Sequence, residues 1–378
     1  MNGTRRTSPH PTAAGPAGLN RLTPADLPAL AAGATLLGSG GGGDVALPAR
    51  LLRHTLAAAP VPVVPAAALP EDALVIHAGE AGAPDVLSER LPCAEDFARA
   101  VRAVETATGR TADAVGIIEI GGLNALAPAL AAAELGLPVL DGDLMGRALP
   151  RIDQTTLALD GHPACPFALT SPAGDTVLVP TCTPRAVEPL LHADIAALGG
   201  AAALALHPVT AGTLRTSGIP GSLTACVRLG ERYLAARDAP PAELAARLGA
   251  RLLCAGRIDE LRPRHGAETG SVTLHDHRDG AVVRVDLLDE LLAVTVDGET
   301  LAATPDIIVA VDAAGHAPLR CDQLRTGRTV LILHLPALHR WPPEAAHLVG
   351  PRAYGLTLTP ATGKTPAPAG AAPERSST

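Results

Sequence analysis

Aromatic residues and lysine are almost missing from this sequence. Phe, Trp and Tyr make up 1% of its 378 residues, so Val, Leu, Ile and Ala must fill the hydrophobic cores. Proteins that bind single-stranded nucleic acid stack the bases on aromatic side chains, and this sequence offers few of them. Lys364 is the only lysine and lies near the C-terminus. Because Schiff-base enzymes and P-loop nucleotide-binding proteins need a lysine in the active site, the sequence excludes both classes.

Closely spaced cysteines, excess positive charge and long apolar segments are missing as well. The six cysteines form no CxxC pair, which favours reduced thiols in a cytoplasmic protein over a disulfide framework. The net charge is −8 and no basic stripe occurs, so we expect no nucleic-acid partner. No segment resembles a secretory signal or reaches the roughly 20 apolar residues that span a bilayer. We therefore expect a soluble, cytoplasmic protein with no membrane partner.

The apolar pattern of residues 19–165 predicts an α/β domain. Short apolar runs alternate there with helical stretches, which is typical of βαβ units. We expect three layers, α/β/α, around a largely parallel sheet. The predicted strands are 61–64, 73–78, 114–120 and 137–140, and the predicted helices are 24–36, 45–58, 94–108 and 125–135.

Residues 166–360 are predicted to form a C-terminal domain. A helical segment over about 186–248 precedes short strands over about 250–358. Asp279-Gly280 and Asp297-Gly298 are strong hairpin signals, and short strands at intervals of about ten residues predict a β-barrel-like part. Its clearest strands are 271–275, 281–287, 292–296, 307–311 and 329–334. The tails at 1–18 and 361–378, rich in Pro, Ala, Ser, Thr and Gly, are predicted to be disordered.

The glycine-rich run LLGSGGGGD, residues 36–44, is the most conspicuous motif. It contains the letters GxGxxG, but a dinucleotide-binding fingerprint follows a strand, and here a predicted helix precedes the run. The bare backbone amides of Gly40, Gly41, Gly42 and Gly43 could bind a ligand oxygen. The alternative is a tight turn between two helices, with Asp44 capping the second helix.

Polar residues lie at the carboxyl ends of three of the predicted parallel strands or just after them. Because the carboxyl ends of parallel strands meet at one edge of a sheet, we expect these side chains to border a common crevice. Carboxylates there can act as general acid and base or bind a divalent metal, or simply cap helices and pair with Arg147. The polar residues concerned are His77, Glu80, Glu119, Asn124, Asp141, Asp143 and Arg147.

Several segments together resemble the S-methyl-thiohydantoin desulfurase family. The resemblance covers about residues 20–360. Its segments, in order, are LLGSGGGGD (36–44), GAPDVLSERLP (82–92), EIGGLN (119–124), LPVLDGDLMGRALP (137–150), TPDIIVAVD (304–312) and LVGPRAYGL (348–356).

This resemblance implies an α/β domain, a C-terminal β-barrel domain and a hydrolytic reaction on a small cyclic amide or imide. Water would attack C2 of an S-methylated thiohydantoin ring, methanethiol would leave, and a hydantoin would remain. From the chemistry of their side chains, the catalytic candidates are Glu119, Asp141 and Asp143, any of which could also bind a divalent metal. The substrate-binding candidates are Gly40, Gly41, Gly42, Gly43, Asp44, Asn124, Arg147, His77 and Glu80, with Arg147 expected to bind a substrate carboxylate.

Two other functions remain open from the sequence. The chain could be a non-catalytic, metabolite-binding subunit or regulator of a hydantoinase or oxoprolinase, with which the family is associated. A nucleotide-dependent oxidoreductase is a weaker alternative, since the glycine run lacks the context of a dinucleotide fingerprint. We expect a homo-oligomer. The sequence does not decide which carboxylate acts as the acid and which acts as the base.

Overall fold

The computed structural model describes residues 18–83, 86, 93–266 and 268–358. The predicted tails (apart from Gly18) and most of the GAPDVLSERLP segment lie outside these residues. The described helices are α1 Leu27–Leu37, α2 Ala46–Ala58, α3 Ala94–Thr108, α4 Ala127–Leu135, α5 Thr156–Leu159, α6 Val187–Ala197, α7 Ala211–Ser217, α8 Ser222–Ala236, α9 Pro241–Leu248 and α10 Ala346–Val349.

The strands belong to two large sheets and one short ribbon. The described strands are β1 Arg21–Leu22, β2 Val61–Val64, β3 Leu74–Gly82, β4 Ala114–Ile117, β5 Val139–Leu140, β6 Gly142–Asp143, β7 Phe167–Thr170, β8 Thr176–Val179, β9 Ala201–Thr210, β10 Ile219–Pro220, β11 Arg251–Arg262, β12 Gly270–Asp276, β13 Val282–Leu287, β14 Leu291–Val296, β15 Glu299–Ala303, β16 Ile307–Asp312, β17 Pro318–Leu319 and β18 Thr329–Leu335. The ribbon pairs β6 with β10.

The first sheet is mixed, with parallel strands at its centre. Within the described residues its order is β1-β2-β5-β4-β3-β9-β7-β8. Strands β2, β5, β4 and β3 pair in parallel, as predicted. The outer strands pair antiparallel. Because β7, β8 and β9 all follow residue 165, this sheet takes strands from both of the predicted domains.

Helices cover both faces of this sheet. Side chains alternate along a strand, and Ile76 of β3 packs in the same core as Phe97 of α3. Its neighbour Val75 points to the other face and packs with Leu157 of α5 and Leu214 of α7. The parallel strands are therefore buried on both sides, which explains their short, continuous apolar sequences.

Local signals fix the ends of the helices in this domain. The carboxylate of Asp96 accepts a hydrogen bond from the Cys93 amide at 3.1 Å, which caps the start of α3. Helices α3 and α4 are each followed by a left-handed glycine, Gly109 and Gly136. Glycine is the residue that adopts this conformation without strain, so both helix ends can be predicted from the sequence.

Strand β9 lies inside the segment that was predicted to be helical. It follows α6 and pairs with both β3 and β7 within the first sheet. Its first residues, AAALAL, are good helix formers. Gly199 and Gly200, both with positive φ, end the preceding helix, and pairing on both edges then overrides the local helix propensity.

The second sheet is antiparallel throughout its described strands. Its order is β15-β14-β13-β12-β11-β18-β16-β17. The predicted Asp279-Gly280 and Asp297-Gly298 turns join β12 to β13 and β14 to β15. No ladder joins β15 to β17 within the described part of the chain. The antiparallel prediction is therefore confirmed, whereas the closure expected of a barrel is not observed. None of the described helices is long and apolar enough to cross a bilayer.

Helices α1 and α8 pack in close contact through two glycines. A Cβ atom on Gly33 would overlap the Cys226 carbonyl, and one on Gly230 would overlap the Ala29 carbonyl. Because α1 leads directly into the glycine-rich loop, this contact sets where that loop begins.

We expect Gly230→Ala to destabilise the protein by about 1–3 kcal/mol, because the added methyl forces the two helices apart. Alanine normally stabilises a helix interior relative to glycine, so the expected sign is reversed here. Urea unfolding measures the effect, with Glu231→Ala at the adjacent exposed position as the control. A Gly230→Ala protein more stable than wild type would contradict the close packing.

Candidate functional site

The glycine-rich loop joins the two sheets. The Ser39 hydroxyl donates a hydrogen bond to the Ile308 carbonyl and accepts one from the Ile308 amide at 3.0 Å. The Leu291 amide donates to the Ser39 carbonyl at 2.7 Å, and the Cys321 amide donates to the Gly40 carbonyl at 2.8 Å. The loop therefore bonds to β14, to β16 and to the segment after β17, all parts of the second sheet.

Bare backbone at the loop allows other groups to approach closely. A Cβ atom on Gly41 would overlap the carboxyl group of Glu290, and one on Gly42 would lie 2.9 Å from the Cα atom of Gly122. The Gly42 and Gly43 amides donate to no other group among the described residues. Both residues are partly exposed. These amides are therefore available to a ligand oxygen, and their predicted role in binding stays a prediction.

Glu119 is a buried carboxyl group next to this loop. Its Oε1 atom accepts a hydrogen bond from the Asn124 side-chain amide at 2.8 Å, and its Oε2 atom accepts one from the Leu149 amide at 3.3 Å. Burial raises the pKa of Glu119 to about 7, and the negative charge of Asp143 adds to the increase, although both hydrogen bonds and Arg147 oppose it. Glu119 can therefore gain or lose a proton near neutral pH.

Asp143 lies beside Glu119 and is bonded to the backbone. Its Oδ2 atom accepts hydrogen bonds from the amides of Ile120, Met145 and Gly146 at 3.0, 3.1 and 2.8 Å. Burial still raises the pKa of Asp143 to about 6, because the loss of hydration exceeds the effect of these bonds. Asp143 thus holds the loop between β6 and Arg147 in place, and its charge acts on Glu119.

Arg147 joins the two sheets and is 1% exposed. Its guanidinium group donates hydrogen bonds to the carbonyls of Ala148, Asp306 and Leu291. Burial lowers its pKa, but arginine remains charged at neutral pH. From the sequence, Arg147 is expected to bind a substrate carboxylate. The structure gives each guanidinium nitrogen a backbone acceptor instead, so the residue fixes β14 relative to the site.

Glu290 is a site residue that the sequence analysis missed. It lies between β13 and β14, its side chain packs against Gly41, and it is 4% exposed. Burial raises its pKa to about 8, with further increases from Asp289 and Glu119, against the opposing charge of Arg147. The available signal was a glutamate inside the apolar run LLDELLAV. Its proximity to Glu119 depends on the packing of the two sheets.

Asp141 lies in different surroundings from Glu119 and Asp143. Its two carboxylate oxygens accept hydrogen bonds from the Thr224 amide at 2.9 Å and the Thr224 hydroxyl at 2.6 Å, at the start of α8. It borders a separate groove of about 730 Å³. This arrangement caps the helix.

The predicted metal ligands do not form a metal site. Both oxygens of Asp141 are bonded to Thr224, and one oxygen of Asp143 is bonded to three amides. Among the residues that the structure describes, no group of three His, Cys, Asp or Glu side chains is arranged to hold a metal ion. Glu119, Asp141 and Asp143 therefore do not fit a divalent cation as a set.

His77 and Glu80 differ in their relation to the site. His77 is fully buried, its Nδ1 atom is 3.0 Å from the His207 carbonyl, and burial lowers its pKa to about 4. It therefore remains neutral within the sheet. The Glu80 amide donates to the Asn124 side chain at 2.7 Å. Burial, together with the charge of Asp96, raises the Glu80 pKa to about 7. Because the Asn124 side chain bonds to both the Glu80 amide and the Glu119 carboxylate, it connects the two residues.

Asp44 lies at the exposed end of the glycine loop. Its carboxylate accepts a hydrogen bond from the Ala46 amide at 2.8 Å, near the start of α2. The same carboxylate lies 3.1 Å from the Arg320 guanidinium group. Asp44 thus bonds at the start of the second helix, one residue before the N-cap Val45, whereas ligand contact at this residue stays a prediction.

The molecule is thus an α/β protein in which a glycine loop and buried carboxyl groups meet between a mixed sheet and an antiparallel sheet. The chain belongs to the S-Me-THD-like family: the model of the family's N-terminal domain matches residues 25–181, and that of its C-terminal domain matches residues 182–361. The resemblance to the S-methyl-thiohydantoin desulfurase family is therefore confirmed.

Two further comparisons bear on the fold. No curated protein matches the chain. The crystal structure of a protein from Chromobacterium violaceum is similar, with 24% sequence identity and a TM-score of 0.69 over 86% of this chain and 93% of that one. At this identity the similarity supports the fold alone.

We expect Gly122→Ala to destabilise the protein by about 1–3 kcal/mol more than Gly136→Ala does. Both glycines have positive φ, 63° and 68°, so both variants carry similar backbone strain. Only at Gly122 would the new Cβ atom overlap the Gly42 backbone, whereas nothing lies within 4 Å at Gly136. Thermal unfolding of the two variants measures the difference. Equal losses of stability would show that the glycine loop can move away from residue 122.

Proposed function

We propose that this protein hydrolyses the C–S bond of an S-methyl-thiohydantoin, releasing methanethiol and leaving a hydantoin. Family membership supports the class of substrate. The observation that carries the reaction type is the buried Glu119 carboxyl group, whose pKa lies near 7 and which lies next to a loop of free backbone amides. A general base is most effective when its pKa is close to the working pH.

Glu119 is proposed to be the general base. In its ionised form it removes a proton from water as the water oxygen attacks C2 of the ring. The Asn124 amide at 2.8 Å and the Leu149 amide at 3.3 Å hold the carboxylate in one orientation, which keeps it directed at the water. Asp143 is proposed to tune this base through its charge rather than to react itself.

The glycine loop is proposed to bind the flat ring. Neighbouring atoms of the protein occupy the space that side chains at Gly40 to Gly43 would fill, so the loop would contact the ring through its backbone amides. The amides of Gly42 and Gly43, which have no other acceptor among the described residues, would donate to a ring carbonyl. Binding of this kind orients C2 towards the water held by Glu119.

Glu119→Gln is expected to lower kcat for methanethiol release by about 10²–10⁴-fold, because glutamine cannot accept the proton. A thiol reagent follows methanethiol, with S-methyl-thiohydantoin as substrate and the purified chain alone. Glu231→Gln makes the same chemical change at an exposed position and is expected to keep full activity. Full activity in Glu119→Gln would contradict the assignment of the base.

The same assay separates the hydrolase from a non-catalytic partner subunit. If the wild-type chain releases methanethiol only after a hydantoinase or oxoprolinase is added, the chain is a subunit or regulator. Release by the chain alone supports the hydrolase.

The pH dependence follows from the raised pKa of Glu119. The base must be ionised, so kcat/KM is expected to fall about tenfold per pH unit below pH 7. If the base were a glutamate with an ordinary pKa, kcat/KM would not change down to about pH 4–5. Glu119→Gln should lose this acidic dependence together with most of the rate. A wild-type profile flat down to pH 5 would show that the base is a different group.

A further inference from the structure

We propose that Glu290 is the general acid of this reaction and that it protonates the ring nitrogen while water adds to C2. The inference rests on the proposed function, since it needs a ring bound at the glycine loop. The proposed acid, Glu290, then comes from the second sheet's part of the chain, and the proposed base, Glu119, from the first sheet's part.

The position of Glu290 is fixed by the backbone on both sides of it. The Leu291 amide donates to the Ser39 carbonyl at 2.7 Å, and the Leu288 amide donates to the Glu290 carbonyl at 2.9 Å. Its side chain lies against Gly41, where any larger residue would displace it. The carboxyl group therefore borders the same bare backbone that is proposed to bind the ring.

One oxygen of this carboxyl group has no partner. The Oε2 atom of Glu290 is buried and makes no hydrogen bond among the described residues. Leaving a buried polar atom unpaired costs free energy, so an unpaired atom of this kind calls for an explanation such as a catalytic role. A ring nitrogen at the glycine loop would be such a partner.

Burial keeps this carboxyl group protonated at neutral pH. Asp289 and Glu119 disfavour its ionised form, Arg147 favours it, and burial decides the balance, so the Glu290 pKa is about 8. Two further titratable groups interact with Glu290, and neither would donate as readily. The pKa of Cys321 is raised well above its usual value, and burial raises that of Tyr354 to about 12.

The proton transfers balance over one turnover. As the O–C2 bond forms, the water proton moves to Glu119, the C2=N π electrons move to the ring nitrogen, and that nitrogen takes the proton of Glu290. The C2–S bond then breaks, and the leaving sulfur takes the proton from Glu119. The C2 hydroxyl becomes a carbonyl and returns its proton to Glu290. Both carboxyl groups regain their starting forms, and the net change is substrate plus water to hydantoin plus methanethiol.

The first test is the alkaline side of the pH profile. Wild-type kcat/KM is expected to fall above about pH 8, where Glu290 loses its proton. Glu290→Gln should lower kcat by about 10²-fold or more and should lose this alkaline fall, while keeping the acidic fall that depends on Glu119. Glu290→Asp, which retains a carboxyl group, should restore part of the rate. An unchanged rate and an unchanged alkaline fall in Glu290→Gln would overturn the acid role.

The second test does not need activity. A carboxyl group whose folded pKa is raised stabilises the fold fully below its unfolded pKa, and this contribution is lost as the pH rises through the folded value. The Tm of Glu290→Gln minus that of wild type should therefore rise by roughly 3–6 °C between pH 5 and pH 9. The same difference for Glu231→Gln should stay constant.

The two tests distinguish the possible failures. A constant Tm difference for Glu290→Gln would show that Glu290 is ionised at neutral pH, which overturns the acid role whatever the activity. Absence of methanethiol release by the wild type would overturn the proposed function, and the acid role with it, even if the Tm difference rises as expected.

Discussion

The close approach of bare glycine backbone to both sheets is the constraint on which the rest of the structure depends. The loop bonds to β14 and β16 through Ser39 and contacts the segment after β4 through Gly42. A side chain at Gly41 or Gly42 would overlap atoms of either sheet. The two sheets can therefore share one site only because these positions lack a Cβ atom. Arg147 adds hydrogen bonds across the same boundary.

Burial at the boundary between the two sheets determines the pKa values of the carboxyl groups there. Glu119 and Glu290 both lose hydration there, and nearby acids further oppose their ionisation: Asp143 acts on Glu119, and Asp289 and Glu119 act on Glu290. Arg147 offsets part of this effect without neutralising it. Carboxyl groups that would be fully ionised in water thus exchange protons near neutral pH, as the proposed acid–base catalysis requires. Their burial is unfavourable for stability at high pH, a cost typical of active sites.

Much of the local structure could be predicted from the sequence, and the exceptions have one cause. The strand 61–64 and the helix 94–108 were predicted with the observed bounds, because apolar periodicity and end signals lie in neighbouring residues. Strand β9 was not, since AAALAL favours a helix and only its pairing with β3 and β7 makes it a strand. The carboxylates at strand ends were recognised, but Asp141 bonds to α8 through contacts with distant Thr224.

The sequence by itself determined the family, the α/β and antiparallel parts and the glycine loop, and it singled out Glu119 as a candidate, because each depends on residues close together in the chain. Only the tertiary structure decided which acids meet. Glu290 is 171 residues from Glu119 in sequence, and it reaches the site because the glycine loop lets the second sheet pack against the first. Ionisation depends on burial and on charges from other segments, and neither can be deduced from the order of residues alone.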